Sequence, residues 1–217
     1  MIPSIITPMN FTYIRDAICQ HIANCRDSQI EIAQNAGLTE NQIEQNIDFT
    51  VFPKRFRYPD VSEMPCVFVY FNEMTFPEDE QDIYDNAATA ILQVEYYTVG
   101  CDEVNAKGET VNADANAEDR LNYLTAQLYK ILCSEETNVY KATNRVIKTW
   151  RVRSWKRTTT PDADNTVGTV LGAVFEFEVG FDEPTYYTQT YNLEEFYTTL
   201  NIQEEYISPF VRILLDS

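Results

Sequence analysis

The chain has 217 residues, of which 44% are hydrophobic and 13% aromatic, and its 34 acidic against 16 basic side chains give a net charge of −18. That much apolar content excludes a disordered chain, and the length suits one domain with embellishments or a domain plus a short arm. The acidity disfavours general attraction to nucleic acid or membrane, although it permits a local basic patch.

Phe11, Ile14, Ile18, Ile22 and Cys25 recur at helical spacing behind Pro8 and Asn10, so a helix is expected near 10–26. Residues 27–65 read as an irregular insertion broken by Gly37 and punctuated by Pro53, Pro59 and Pro65. Within it Thr39-Glu-Asn-Gln can open a short helix carrying Ile43 and Ile47. Cys66-Val-Phe-Val-Tyr-Phe reads as a buried strand over 66–71, and 77–86 as an acidic loop. A long strand follows over 88–99, then a loop or hairpin tip over 100–116. Leu121, Leu124, Leu128, Ile131 and Leu132 mark a helix over 115–134, with Asp114 or Asn116 as its cap and Glu118 and Asp119 in its first turn.

Two strands come next, over 145–158 and 169–181, joined by a Thr/Pro/Asp/Gly loop too long for a tight turn. In the second, Ala173, Phe175, Phe177, Val179 and Phe181 alternate with Glu176, Glu178 and Gly180, which implies one buried and one wet face. In the first, period-two alternation puts Arg145, Arg151, Arg153, Trp155 and Arg157 on one face and Lys148, Trp150 and Lys156 on the other. Residues 184–217 form a Tyr-rich arm with a short helical candidate at 193–200 and the apolar run Phe210-Val-Arg-Ile-Leu-Leu after Pro209. The expected architecture is an α/β (α+β) fold in αββαββ order. Its sheet is mixed or mainly antiparallel, with helices on one face. Residues 1–183 then make one domain, and 184–217 an arm for contact between subunits or with a partner.

Chemistry-bearing patterns are scarce. The only histidine, His21, has Cys25 four residues on, a metal-ligand spacing, but two ligands do not make a site. Glu176 and Glu178 could hold Mg²⁺ from one strand face, yet alternation already accounts for them. There is no GxGxxG, GxxxxGK[ST] or GxSxG. The five cysteines are odd in number and widely spaced, without a CxxC pair, and read as buried, reduced thiols. No apolar run nears the ~20 residues of a membrane span, and the opening Met1-Ile-Pro-Ser-Ile-Ile-Thr-Pro lacks signal-peptide features. The expectation is a cytoplasmic protein with no catalytic, cofactor or metal site, which binds other proteins.

Charge segregation is the most informative feature. Seven of the 16 cations fall between 141 and 157, alongside both tryptophans, with no acid among them. The candidate interface is Arg145, Lys148, Trp150, Arg151, Arg153, Trp155, Lys156 and Arg157. Such a strand could contact nucleic acid. It could meet an acidic surface of a second copy, such as 78–85, in a head-to-tail contact that closes a ring. It could also be a sheet edge guarded by charge.

The layout of helix 11–25, Pro65-Cys-Val-Phe-Val-Tyr-Phe, strand 90–99, helix 117–133 and the strand pair 146–157 and 172–181 resembles the tail terminator and tail-completion proteins of long-tailed bacteriophages. The resemblance covers about residues 9–183 and rests on no diagnostic motif. It implies a homo-oligomeric, hexameric ring that caps the tail tube and meets tube or sheath protein and head-completion (neck) proteins. It also implies a place in the virion, assembly in the host cytoplasm, a passing contact with genomic DNA in the lumen, and no enzymatic activity or membrane partner. The 27–65 segment and the arm depart from compact members, which leaves another neck or head–tail connector station open. An acidic DNA-mimic inhibitor and a metal-dependent enzyme using Glu176, Glu178 and the 78–85 carboxylates are the rivals from other classes.

Overall fold

A computed structural model describes residues 9–53, 59–76, 85–104, 108–134, 138–158 and 168–184. Helix α1 spans Asn10–Asn35, nine residues beyond the expected end at 26. The added turns contain neither Gly nor Pro and bury Ala33. The helix stops where Gly37, at φ +82°, supplies a left-handed residue. There Gly37 N–H donates to the Gln34 carbonyl and Leu38 N–H to that of Ala33, a Schellman end. Thr39 then caps α2 (Glu40–Asn46) in a capping box with Gln42, as its sequence implied.

Next come β1 (Thr50–Phe52), a 3₁₀ turn at Val61–Glu63 and β2 (Cys66–Thr75). The 27–65 segment is therefore not an irregular insertion: it contains the end of α1, a helix and a strand. The long β3 (Asp85–Gly100) is followed by the short pair β4 (Glu103–Val104) and β5 (Thr110–Val111). Helix α3 spans Ala113–Cys133, and α4 Val139–Ala142. Two long strands, β6 (Ile147–Thr158) and β7 (Thr169–Pro184), complete the order. The α3 cap is Asn112, not Asp114 or Asn116, so Glu118 and Asp119 lie past the first turn. The Leu193–Leu200 helix, the acidic stretch 78–84 and the arm beyond Pro184 lie outside the described residues.

Among the described residues five strands form one sheet in the order β1-β2-β3-β7-β6. β1 runs parallel to β2 and every other pairing is antiparallel, so the sheet is mixed. β3 and β7 pair along their whole lengths, from Asp85 opposite Pro184 to Gly100 opposite Thr169. Period two places Leu92, Val94 and Tyr96 of β3 with Phe175, Phe177 and Phe181 of β7 on one face, where Ile14, Ile18 and Ile22 of α1 and Leu121, Leu124 and Leu128 of α3 bury their apolar stripes. Gly100 lets β3 meet the start of α3, because a Cβ there would fall 2.2 Å from the Ala113 carbonyl oxygen. The opposite face carries a smaller apolar cluster of Cys66, Phe68, Tyr97 and Val170, against which Phe52, Val61 and Met64 pack. Among the described residues no helix is long and apolar enough to cross a membrane.

The start of α1 is fixed from the far end of the chain. Met9 offers no side-chain cap. Instead the buried carboxylate of Glu183, at the end of β7, accepts the Asn10 N–H at 2.8 Å and the Phe11 N–H at 2.7 Å. Two of the four unpaired amides of the first turn are thereby satisfied by a negative group at the positive end of the helix dipole.

Candidate assembly surface

Among the described residues β6 lies at a margin of the sheet and pairs with β7 alone. Its register slips twice, between Ile147 and Thr149 and between Val152 and Ser154. Each slip leaves one unmatched residue, Lys148 and then Arg153, and each reverses the alternation of faces. Opposite the helix-facing Phe181, Val179, Phe177, Phe175 and Ala173 stand Ile147, Trp150, Val152, Trp155 and Arg157. Thr149, Arg151, Ser154 and Lys156 take the other face.

The expected row of Arg145, Arg151, Arg153 and Arg157 therefore does not form. Arg145 sits in a turn at φ +61° ahead of the strand, Arg153 in a bulge, and Arg151 and Arg157 on opposite faces. The two tryptophans, which strict alternation separates, share the helix side.

Each tryptophan is anchored by its indole. Trp150 stacks on Phe177 at 4.3 Å between centroids and donates from Nε1 to the Leu132 carbonyl, satisfying an otherwise orphaned acceptor in the last turn of α3. Its ring helps line a cleft of about 500 Å³ with Leu132, Val139 and Tyr140. Trp155 is 42% exposed, yet its Nε1 donates to the Tyr96 hydroxyl at 2.8 Å. Tyr96 in turn lies 2.7 Å from Thr125 Oγ1, and the Thr125 hydroxyl donates to the Leu121 carbonyl. With the Thr125 proton so used, Tyr96 must be the donor to Thr125. Burial pushes the Tyr96 hydroxyl above its ordinary value, against the pull of the hydrogen bond it accepts from Trp155, and so keeps it neutral. Beside Trp155, Val152 and Tyr129 are also exposed, and Phe175 stands between them as cross-strand neighbour of Trp155 and ring contact of Tyr129.

The cations divide into two groups. Lys148 pairs with Asp182 at 2.6 Å, Arg151 with Glu178 at 3.4 Å, Lys156 with Glu176 at 3.1 Å, and Arg157 with Glu118 of α3. Arg145 and Arg153 are exposed and form no ion pair among the described residues. No protein-family model matches the chain, and no curated protein does. The reading of this surface accordingly rests on its own geometry.

Glu176 and Glu178 do face the same way, but each meets a β6 cation. Glu176 also accepts from Ser154 at 2.6 Å and Gln93 at 3.2 Å. The Ser154 hydrogen bond, with help from Lys156, holds its carboxyl below the ordinary value despite some burial. Among the described residues no group of three or more His, Cys, Asp and Glu is placed to hold a metal ion. His21 and Cys25 lie 4.0 Å apart on α1, and burial lowers the His21 pKa. Burial lifts the Cys19 and Cys66 thiols to about 12, so both are inert, whereas Cys101 is exposed and departs from the buried-thiol expectation. Sequence patterns do not mark Tyr129, Glu118 and Asp182 as parts of this surface, or buried Tyr96 as the anchor of Trp155. Only the β6 register brings them there, and no local pattern marks it.

Proposed function

We propose that this protein is a structural assembly component rather than an enzyme. It would form a hexameric ring at the head-proximal end of a phage tail, ending tube polymerisation and joining the tail to head-completion proteins. Another neck station is the nearest alternative. The observation that carries the assembly reading is the β6 margin. It is an edge strand whose exposed Val152 and Trp155, with Tyr129 of α3, form an aromatic shelf. Exposed Arg153 lies in the bulge between Val152 and Trp155, and exposed Arg145 in the turn ahead of the strand, in a chain of net charge −18. Tryptophan and arginine dominate interface hot spots, and an edge with aromatic anchors offers both shape and backbone pairing. The helices and mixed sheet are compatible with the tail-terminator layout, although a fold by itself supports many functions. Sheath or tube protein on one side and neck proteins on the other are the partners this reading assigns, with genomic DNA passing through the lumen.

The corrected register changes the choice of variant. Reversing Arg151 would set two carboxylates together at Glu178, whereas Arg145 and Arg153 have no acid to lose among the described residues. The full chain should weigh as six copies by light scattering, alone or on mixing with tube protein, and Arg145→Glu with Arg153→Glu should reduce that assembly. Normal tails that fail to retain or pass DNA would instead assign the cations to the lumen. A monomer under both conditions, or normal assembly and infectivity of the double variant, would overturn the reading.

A further inference from the structure

We infer that the β6 edge is the receptor for the C-terminal arm of a second copy of this chain, with residues 210–215 adding as a short strand beside it; this rests on the assembly reading above. The receptor is visible in the fold. Among the described residues β6 has β7 on one side and ends the sheet on the other, so its outward amide and carbonyl groups face away from the sheet. The bulges at Lys148 and Arg153 cut its regular runs to 149–152 and 154–158. Such an edge disfavours joining to another long sheet but still accepts a strand of a few residues.

The occupant is written in the chain beyond Pro184. Residues 185–217 carry five Asp or Glu against one Arg, and seven Tyr or Phe. The segment 141–157 carries seven Lys or Arg and no acid. The β6 ion pairs do not cancel this complementarity. The Arg151 and Lys156 side chains remain 75% and 59% exposed, so they can share a second carboxylate, and Arg153 pairs with none among the described residues. Within the arm, Phe210-Val-Arg-Ile-Leu-Leu is a strand-forming run, and Pro209 stands just before it, where a missing N–H breaks no pairing. The shelf of Val152, Trp155 and Tyr129 supplies the apolar surface its side chains need. The 25 residues from 185 to 209 span up to ~80 Å when extended, far enough to reach an adjoining subunit. One arm on one edge is a heterologous contact, and such a contact, repeated with a rotation that closes, builds a ring.

The test uses the full chain throughout. Unlabelled and ¹⁵N-labelled protein are mixed and treated with a carbodiimide, which joins lysine to carboxylate without a spacer. Products joining Lys148 or Lys156 to the arm glutamates, with one peptide of each isotope, are expected. Hydrogen exchange at 149–158 should slow as concentration rises, and Phe210→Asp with Ile213→Asp should abolish both effects. Arm-to-β6 products of matched isotope only would show the arm folded on its own edge and overturn the inference. An oligomer with no arm-to-β6 products would overturn it while leaving the assembly reading standing. A chain that stays monomeric at every concentration would overturn both.

Discussion

Two carboxylates show how far a residue's role depends on its surroundings. Glu183 has the composition of an ordinary strand-end acid, yet it is the N-terminal cap of a helix that begins 173 residues earlier. Replacing it with Ala leaves two half-buried amides without their acceptor and removes a charge from the helix dipole. The expected loss is about 1–2 kcal/mol in urea unfolding, with faster amide exchange at Asn10 and Phe11. An unchanged midpoint would show that α1 starts without this cap. Glu176 makes a pH-dependent contribution. Its pKa is lowered in the fold, so its stabilisation is fully present above the ordinary value of 4.5 and is lost as pH falls through the lowered value. Glu176→Gln should therefore be less stable than the parent at neutral pH, and the gap should close as the solution is acidified below 4.5. A gap that is constant with pH would mean that the hydrogen-bond geometry, and not the charge, matters at this position.

At the scale of elements, α3 and β6 contrast. The α3 stripe of Leu121, Leu124, Leu128, Ile131 and Leu132 is legible because helical periodicity survives from sequence to structure, and all five are buried. Leu124→Asp or Leu128→Asp should cost several kcal/mol, on the order of 3 or more, since either would bury an unpaired charge against the sheet. Thermal unfolding reads this directly, and two variants as stable as the parent would remove α3 from the core. β6 was legible as a strand but not in its faces. Alternation assumes that no residue is skipped, and the bulges at Lys148 and Arg153 break that assumption twice. Nothing in Lys148 or Arg153 announces a bulge; it follows from how β6 must lie on β7 to seat both tryptophans against the helix-side core. Likewise 27–35 lacked a clear stripe, because beyond Ile22 and Cys25 the helix leaves the sheet and buries little.

For the whole molecule, salt is the discriminating variable. Contacts between exposed charges weaken as added salt shrinks the Debye length below its ~8–10 Å at physiological ionic strength, whereas an aromatic shelf is little affected. If the β6 surface assembles subunits through both, added salt should lower the assembled mass without dispersing it entirely, as sedimentation would show. Mass wholly insensitive to salt would strip the cations of any part in assembly. The sequence by itself determined the fold class, the main helix, the presence of the four long strands and the separation of cations into one segment of an acidic chain, because these depend on local periodicity and composition. Tertiary structure alone decided that β6 lies at the sheet margin, that both tryptophans share a face, that four of its cations meet acids of β7 and α3, and that Glu183 caps α1. Those facts depend on strand order and register, which are set by how long-range partners pack together and not by the residues on either side.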